Sequence, residues 1–267
     1  MKKLNIIFAS LLLLAIVACS GKKENSNVLR VGVMSGPEHE IAETAKKIAK
    51  EKYNLDVELI TFNDYIIPNE ALNQGELDAN AYQTKPFMDE QMKQRGYKLA
   101  SIGNTFVYPI VGYSKKIKSL NELKDGSTVV IPNDPTNGGR SLLLLEKQGL
   151  IRLTPNVGLF PKLTDVIDNP KKLEIMELDG PQLPRVLEDE KVTLAIINNN
   201  FAGQAGLDPK VDGIFVEDKD SPYVNLIVSR IDNQNDEKIK TFLKAYQSEE
   251  VAKKAEQLFK GGAIQGW

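Results

Sequence analysis

FVYPIVGY, residues 106–113, decides how this chain is divided. Valine, isoleucine, phenylalanine and tyrosine give the segment β character, but Pro109 interrupts it, and proline has no N–H to donate to a ladder. A central strand is therefore disfavoured, and the segment reads as an extended crossover between two folded halves. Upstream, VLRVGV (28–33) alternates as a strand, residues 38–53 place Ile41, Ala45, Ile48 and Ala49 on one helical face, and residues 55–60 alternate again with Leu55, Val57 and Leu59 on one side. A helix is expected over 63–74 in spite of Pro68, a buried run over 77–81, a helix over 86–95 stopped by Gly96, and a strand over 98–102. Downstream, the strand TVVI (128–131) and the loop PNDPTNGG (132–139) lead into a helix over 140–148. A strand over 173–178, a helix over 183–188 and a strand over 192–197 follow. YVNLIV (223–228) reads as a second crossover returning to the first half, and two amphipathic helices, 236–246 and 249–259, close the chain. The expectation is an α/β fold of two lobes, 28–109 with 225–267 and 110–224. A cleft between them would be a favoured place for a small ligand.

The amino terminus carries a different message. Lys2 and Lys3 precede an apolar run over 4–16, too short for a bilayer span of roughly 20 residues, so it reads as an export signal. Ala18 before Cys19, the only cysteine, resembles the lipobox of bacterial lipoproteins. That resemblance implies a signal peptide over 1–18, a mature chain beginning at an acylated Cys19, and a lipid anchor to a membrane outside the cytoplasm, on the periplasmic face or the cell surface. Residues 20–27, SGKKENSN, contain no aliphatic side chain, so 19–27 reads as a flexible lipid-anchored tether.

Composition removes several functions. A net charge of −2 leaves no basic footprint for nucleic acid. With Cys19 committed to lipid, a single histidine, His39, remains: a His/Cys metal cluster cannot be assembled from it, and a histidine-based triad would have to use this residue beside Gly36 and Pro37, where a place in the first turn of the 38–53 helix suits it better. The acidic runs at Glu188, Asp189 and Glu190, and at Asp218 and Asp220, fit solvated loops better than paired catalytic carboxylates. No enzyme activity and no cofactor are expected.

Several long segments carry a family resemblance: FNDYIIPNEALNQGELDANAYQTKPF (62–87), GNTFVYPIVGYS (103–114), IPNDPTNGGRSLLLLEKQGL (131–150), DSPYVNLIVSR (220–230) and the terminal GGAIQGW. Together they resemble the methionine-binding lipoprotein family (the MetQ/NlpA group), the substrate-binding components of methionine ABC importers. The resemblance implies a two-lobed periplasmic-binding-protein fold of type II, methionine as ligand, and an ABC permease and its ATPase as partners of a monomeric receptor. Another small amino acid, a short peptide, or an adhesin-like role with a vestigial pocket stands as the alternative.

An α-amino acid presents a carboxylate, an ammonium and a side chain. Arg140, read as opening a helix, can fork onto the carboxylate with help from the helix dipole; a surface ion pair is its plain alternative. Asn198, at the end of an apolar strand, suits ligand contact or a helix cap equally. Asn225, inside the second crossover, suits ligand contact or a hinge hydrogen bond. The family pattern turns both asparagines toward the ligand. Tyr65 and Tyr82, which the resemblance places along the side-chain pocket, can pack against a thioether, although either fits an ordinary core. Thr84 stands where the family often has histidine, and the ligand there would lose a donor.

Overall fold

The computed structural model describes residues 28–218, 221–260 and 262–267. The expectations for the signal over 1–18, for Cys19 and for the tether over 19–27 lie outside the described residues. β1 (Val28–Met34) leads into α1 (Pro37–Tyr53), which begins on a proline and closes on Asn54 in the left-handed region. β2 (Asp56–Phe62), α2 (Ile67–Gln74), β3 (Ala79–Thr84), α3 (Lys85–Arg95) and β4 (Leu99–Val107) follow. Pro68 falls in the first turn of α2, where a missing N–H forfeits no helical bond, so that helix starts at Ile67 rather than at 63.

After β5 (Val111–Tyr113) come β6 (Thr128–Pro132), α4 (Pro135–Lys147), β7 (Arg152–Leu153), β8 (Val166–Asp168), β9 (Glu174–Leu178) and β10 (Val192–Ile197). α5 (Asn199–Gln204), β11 (Gly213–Val216), β12 (Val224–Arg230), α6 (Glu237–Tyr246), α7 (Glu249–Phe259) and β13 (Ile264–Gln265) complete the chain. The helix expected over 183–188 is instead a pair of short 3₁₀ turns, Gly180–Gln182 and Arg185–Glu188, because Pro181 and Pro184 deny it continuous hydrogen bonding.

The strands form two main sheets, ordered β13-β4-β12-β3-β1-β2 and β11-β5-β10-β6-β9. In the first, β1 runs parallel to β2 and β3, and β12 runs antiparallel to both β3 and β4. In the second, β6 runs parallel to β9 and β10, while β5 runs antiparallel to β10 and β11. The chain passes from one sheet to the other twice. The first crossing is 108–110, centred on Pro109, with Phe106 and Val107 belonging to β4. The second is 217–223. The expected crossover at 223–228 is therefore corrected: from Val224 the chain is already a strand, buried between β3 and β4, and Pro222 breaks the approach to it. The two crossings are joined where the Glu217 N–H donates to the Ile110 carbonyl at 3.0 Å.

Helix α4 also departs from expectation. It starts at Pro135, with Asp134 as its cap, so Arg140 lies in its second turn and not at its opening. Gly138 and Gly139 are helical residues. A Cβ at Gly138 would sit 2.8 Å from the Pro132 carbonyl oxygen, and one at Gly139 3.0 Å from the Leu159 oxygen, so their small size permits close packing of the helix.

Each sheet has its own core. Leu29, Val31, Ile41, Ala45, Phe106, Ile227, Phe242 and Phe259 knit α1, α6 and α7 to the first sheet, and Val129, Ile131, Leu142, Leu145, Leu194 and Ile196 knit α4 to the second. A third cluster joins the halves: Met34, Tyr82 and Phe87 pack with Tyr113, Ile197 and Phe201. The halves also meet where Gln204 Nε2 donates to the Ser35 carbonyl at 2.9 Å, and where α3 lies against α4.

Candidate functional site

Tyr65, Tyr82, Thr84, Arg140, Asn198 and Asn225, all anticipated from the sequence, line one cavity of about 400 Å³, its opening included. Glu38, Gln83, Phe87, Tyr108, Asn137, Asn199 and Asn200 complete the wall. The residues come from both halves, so the cavity exists only where the two are brought together.

One end is aromatic. Tyr65 lies 5.9 Å from Tyr82, 6.2 Å from Phe87 and 4.7 Å from Phe201 by ring centroid, within the range of favourable ring pairs. The Tyr82 hydroxyl donates to the Tyr65 carbonyl at 3.0 Å, which ties β3 to the bend after β2. Burial pushes both tyrosine hydroxyls well above their usual range, so they stay neutral. Behind them, Gln83 Nε2 donates to Asn69 Oδ1 at 2.6 Å and to Asn80 Oδ1 at 2.9 Å, and Asn69 Nδ2 donates back to Gln83 Oε1 at 2.8 Å. This buried amide cluster fixes α2 against β3.

The other end is polar. The Arg140 guanidinium, 3 % exposed, turns its Nε to Glu217 Oε1 at 2.9 Å and its Nη2 to Glu217 Oε2 and, at 3.0 Å, to the Tyr108 carbonyl. Tyr223 supports it from the side, its ring centroid 4.3 Å from Cζ. The fork expected to face a free ligand is thus occupied by Glu217, and Nη1 is the edge without a hydrogen bond among the described residues. Arg140 in this way grips both crossings, 108–110 through Tyr108 and 217–223 through Glu217.

Asn198 takes the cap position of α5, yet its side chain makes no cap hydrogen bond. Nδ2 donates instead to Asn137 Oδ1 at 2.8 Å, and Oδ1 is buried with no partner among the described residues. Asn225 pairs across the sheet with Thr84, and its side chain makes no hydrogen bond among the described residues. Thr84, standing at the family's histidine position, caps α3 by accepting from the Phe87 N–H at 3.4 Å. Glu38, in the first turn of α1, is 4 % exposed, and burial pushes its carboxyl up to about 8.

Asn199 Nδ2 donates to the Gly262 carbonyl at 2.9 Å, whereas both amide atoms of Asn200 are buried without a partner among the described residues. Asn200→Leu should raise the unfolding free energy of the ligand-free protein by about 1 kcal/mol, since an unsatisfied buried amide is replaced by a hydrocarbon of similar size. A higher urea midpoint would register the gain; an unchanged or lower one would show that the amide is satisfied.

The family model described as NlpA lipoprotein matches residues 29–267. The chain belongs to the NlpA lipoprotein family. Among its relatives, the D-methionine-binding lipoprotein MetQ of Escherichia coli K12 is 61 % identical over 254 residues, 95 % of this chain and 94 % of that one. Among solved structures, the methionine binding protein MetQ is 62 % identical with a TM-score of 0.89, covering 90 % of this chain and 98 % of that one. A nutrient binding protein from Burkholderia cenocepacia bound to methionine is 46 % identical with a TM-score of 0.87, covering 90 % and 100 %. The fold of this NlpA-family chain is the two-lobed one of periplasmic substrate-binding proteins.

The residues that sequence reading missed share a cause. Glu38 looked like an ordinary acidic residue in a first helical turn, and Asn137 like part of a turn before a glycine pair. Glu217, 77 residues from Arg140, likewise gives no local sign of the side chain it pairs with.

Proposed function

We propose that this protein is an extracytoplasmic receptor that captures methionine between its lobes and delivers it to an ABC importer. The observation that carries the reading is the pairing, within one cavity, of an aromatic end with a polar end that holds a guanidinium and buried acceptors without a partner among the described residues. Tyr65, Tyr82 and Phe87 suit a polarizable thioether, which gains about 0.3–1.5 kcal/mol per ring contact. Arg140 Nη1 and the Asn225 amide suit the carboxylate, and Asn198 Oδ1 and Glu38 suit the ammonium. The relatives named for methionine binding, and the methionine-bound neighbour, support the same ligand class.

Closure turns the lobes, 28–109 with 225–267 and 110–224, about the crossings at 108–110 and 217–223, in the manner of periplasmic binding proteins. The closed monomer presents itself to a membrane permease, whose ATPase drives transport. The chain itself catalyses nothing and uses no cofactor. Acylated Cys19 holds it to the membrane.

Thermal unfolding with added amino acids tests the ligand. L- or D-methionine at about a hundred times its dissociation constant should add about 2.7 kcal/mol of stability, while glycine adds none. Absence of a shift with both methionine enantiomers sinks the proposal, and a shift with a different amino acid or a short peptide reassigns the ligand.

A further inference from the structure

We propose that Asp134, acting through Asn137, is a positioning residue that dictates which atom of Asn198 faces the ligand, making the site selective for a ligand with an α-ammonium group. The inference rests on the receptor reading above and concerns a residue that does not line the cavity.

The chain of hydrogen bonds runs in one direction. Burial raises the Asp134 carboxyl from its usual value, while hydrogen bonds from the Asn137 N–H, the Asn137 amide and the Thr136 N–H oppose that rise, and in its ionised form the carboxylate accepts and never donates. Asp134 therefore draws the Asn137 backbone N–H at 2.8 Å and its side-chain Nδ2 at 3.1 and 2.9 Å to the two carboxylate oxygens. With Nδ2 held there, Asn137 turns Oδ1 the other way, and Oδ1 receives Asn198 Nδ2 at 2.8 Å. Asn198 is left with Oδ1, an acceptor, buried, without a partner among the described residues, and Asn198 lies on the cavity wall.

A primary amide has nearly the same shape in either orientation, so shape alone does not decide which end of Asn198 faces inward. The carboxylate at the head of α4 decides it. Were position 134 able to donate, Asn137 could reverse, Asn198 would reverse with it, and the cavity would be offered an N–H where it now meets a lone pair. Arg140, in the second turn of the same helix, carries the opposite polarity. One helix thereby sorts the two charges of a zwitterion: a cation for the acid, and an oriented acceptor for the amine.

The test is calorimetry on the full chain, wild type against Asp134→Asn and Asp134→Ser, with methionine and with its desamino analogue. Asparagine and serine are both good helix caps, so each variant keeps an acceptor for the Asn137 N–H while gaining a donor. Methionine affinity should fall about tenfold or more in both variants, and affinity for the desamino analogue should change by less than about threefold. Lost capping alone would weaken the two ligands equally, so equal losses, or unchanged methionine affinity, overturn the relay. Should one variant fail to fold, the other decides. A wild-type chain that ignores methionine instead refutes the receptor reading itself, an outcome distinct from equal losses in the variants.

Discussion

Arg140→Ala should lose stability and ligand together. The guanidinium is buried and forms a two-pronged pair with Glu217, whose side chain is only 13 % exposed. Removing one member of such a pair leaves the other as an uncompensated charge, at a cost of about 3–5 kcal/mol. Methionine affinity should fall about a hundredfold or more, because the ligand carboxylate loses its charged donor in a desolvated site. Urea unfolding reads the first effect and calorimetry the second. If the variant is destabilised yet binds methionine like the wild type, Arg140 is a clasp for the crossings and not a ligand contact. Arg140→Lys sharpens the distinction, since a lysine keeps the charge but cannot span Glu217 and Tyr108 with a planar fork.

Glu38→Gln should stabilise the protein, and only in part of the pH range. The carboxyl titrates near 8 in the folded chain against a reference of 4.5, with burial as the cause. Between those two values the folded state keeps a proton that the unfolded state has released. Stability therefore declines as pH rises through this window and levels off above it. A difference of that size corresponds to about 5 kcal/mol at its upper limit, and relaxation or water entering the cavity reduces it. Glutamine never ionises, so the variant escapes the decline. Its advantage in unfolding free energy should be near zero close to pH 4.5, grow toward pH 8 and then stay constant. An advantage independent of pH would show that Glu38 ionises in the folded protein as freely as in the unfolded chain.

Most strands and helices were legible because their apolar spacing survives in the fold: Leu55, Val57 and Leu59 do face one way, and α7 spans Glu249–Phe259 as its amphipathic pattern implied. Proline was informative in context. Pro109 marked a true crossing, while Pro68 lay where a helix tolerates it. Gly138 and Gly139 misled, since a glycine pair signals a turn on local grounds, and only the approach of the Pro132 and Leu159 carbonyls gives it a packing role inside a helix. The candidate site divides in the same way. Single residues such as Tyr82 and Asn198 stood out through family resemblance, but the orientation of an amide depends on partners remote in sequence. Nothing near Asn198 announces that Asn137, 61 residues earlier, will claim its nitrogen.

The clasp that Arg140 makes on both crossings has a mechanical consequence. Because one side chain holds the Tyr108 carbonyl and the Glu217 carboxylate, any rearrangement of that guanidinium is felt at both connections between the sheets at once, and neither connection can shift without disturbing the other.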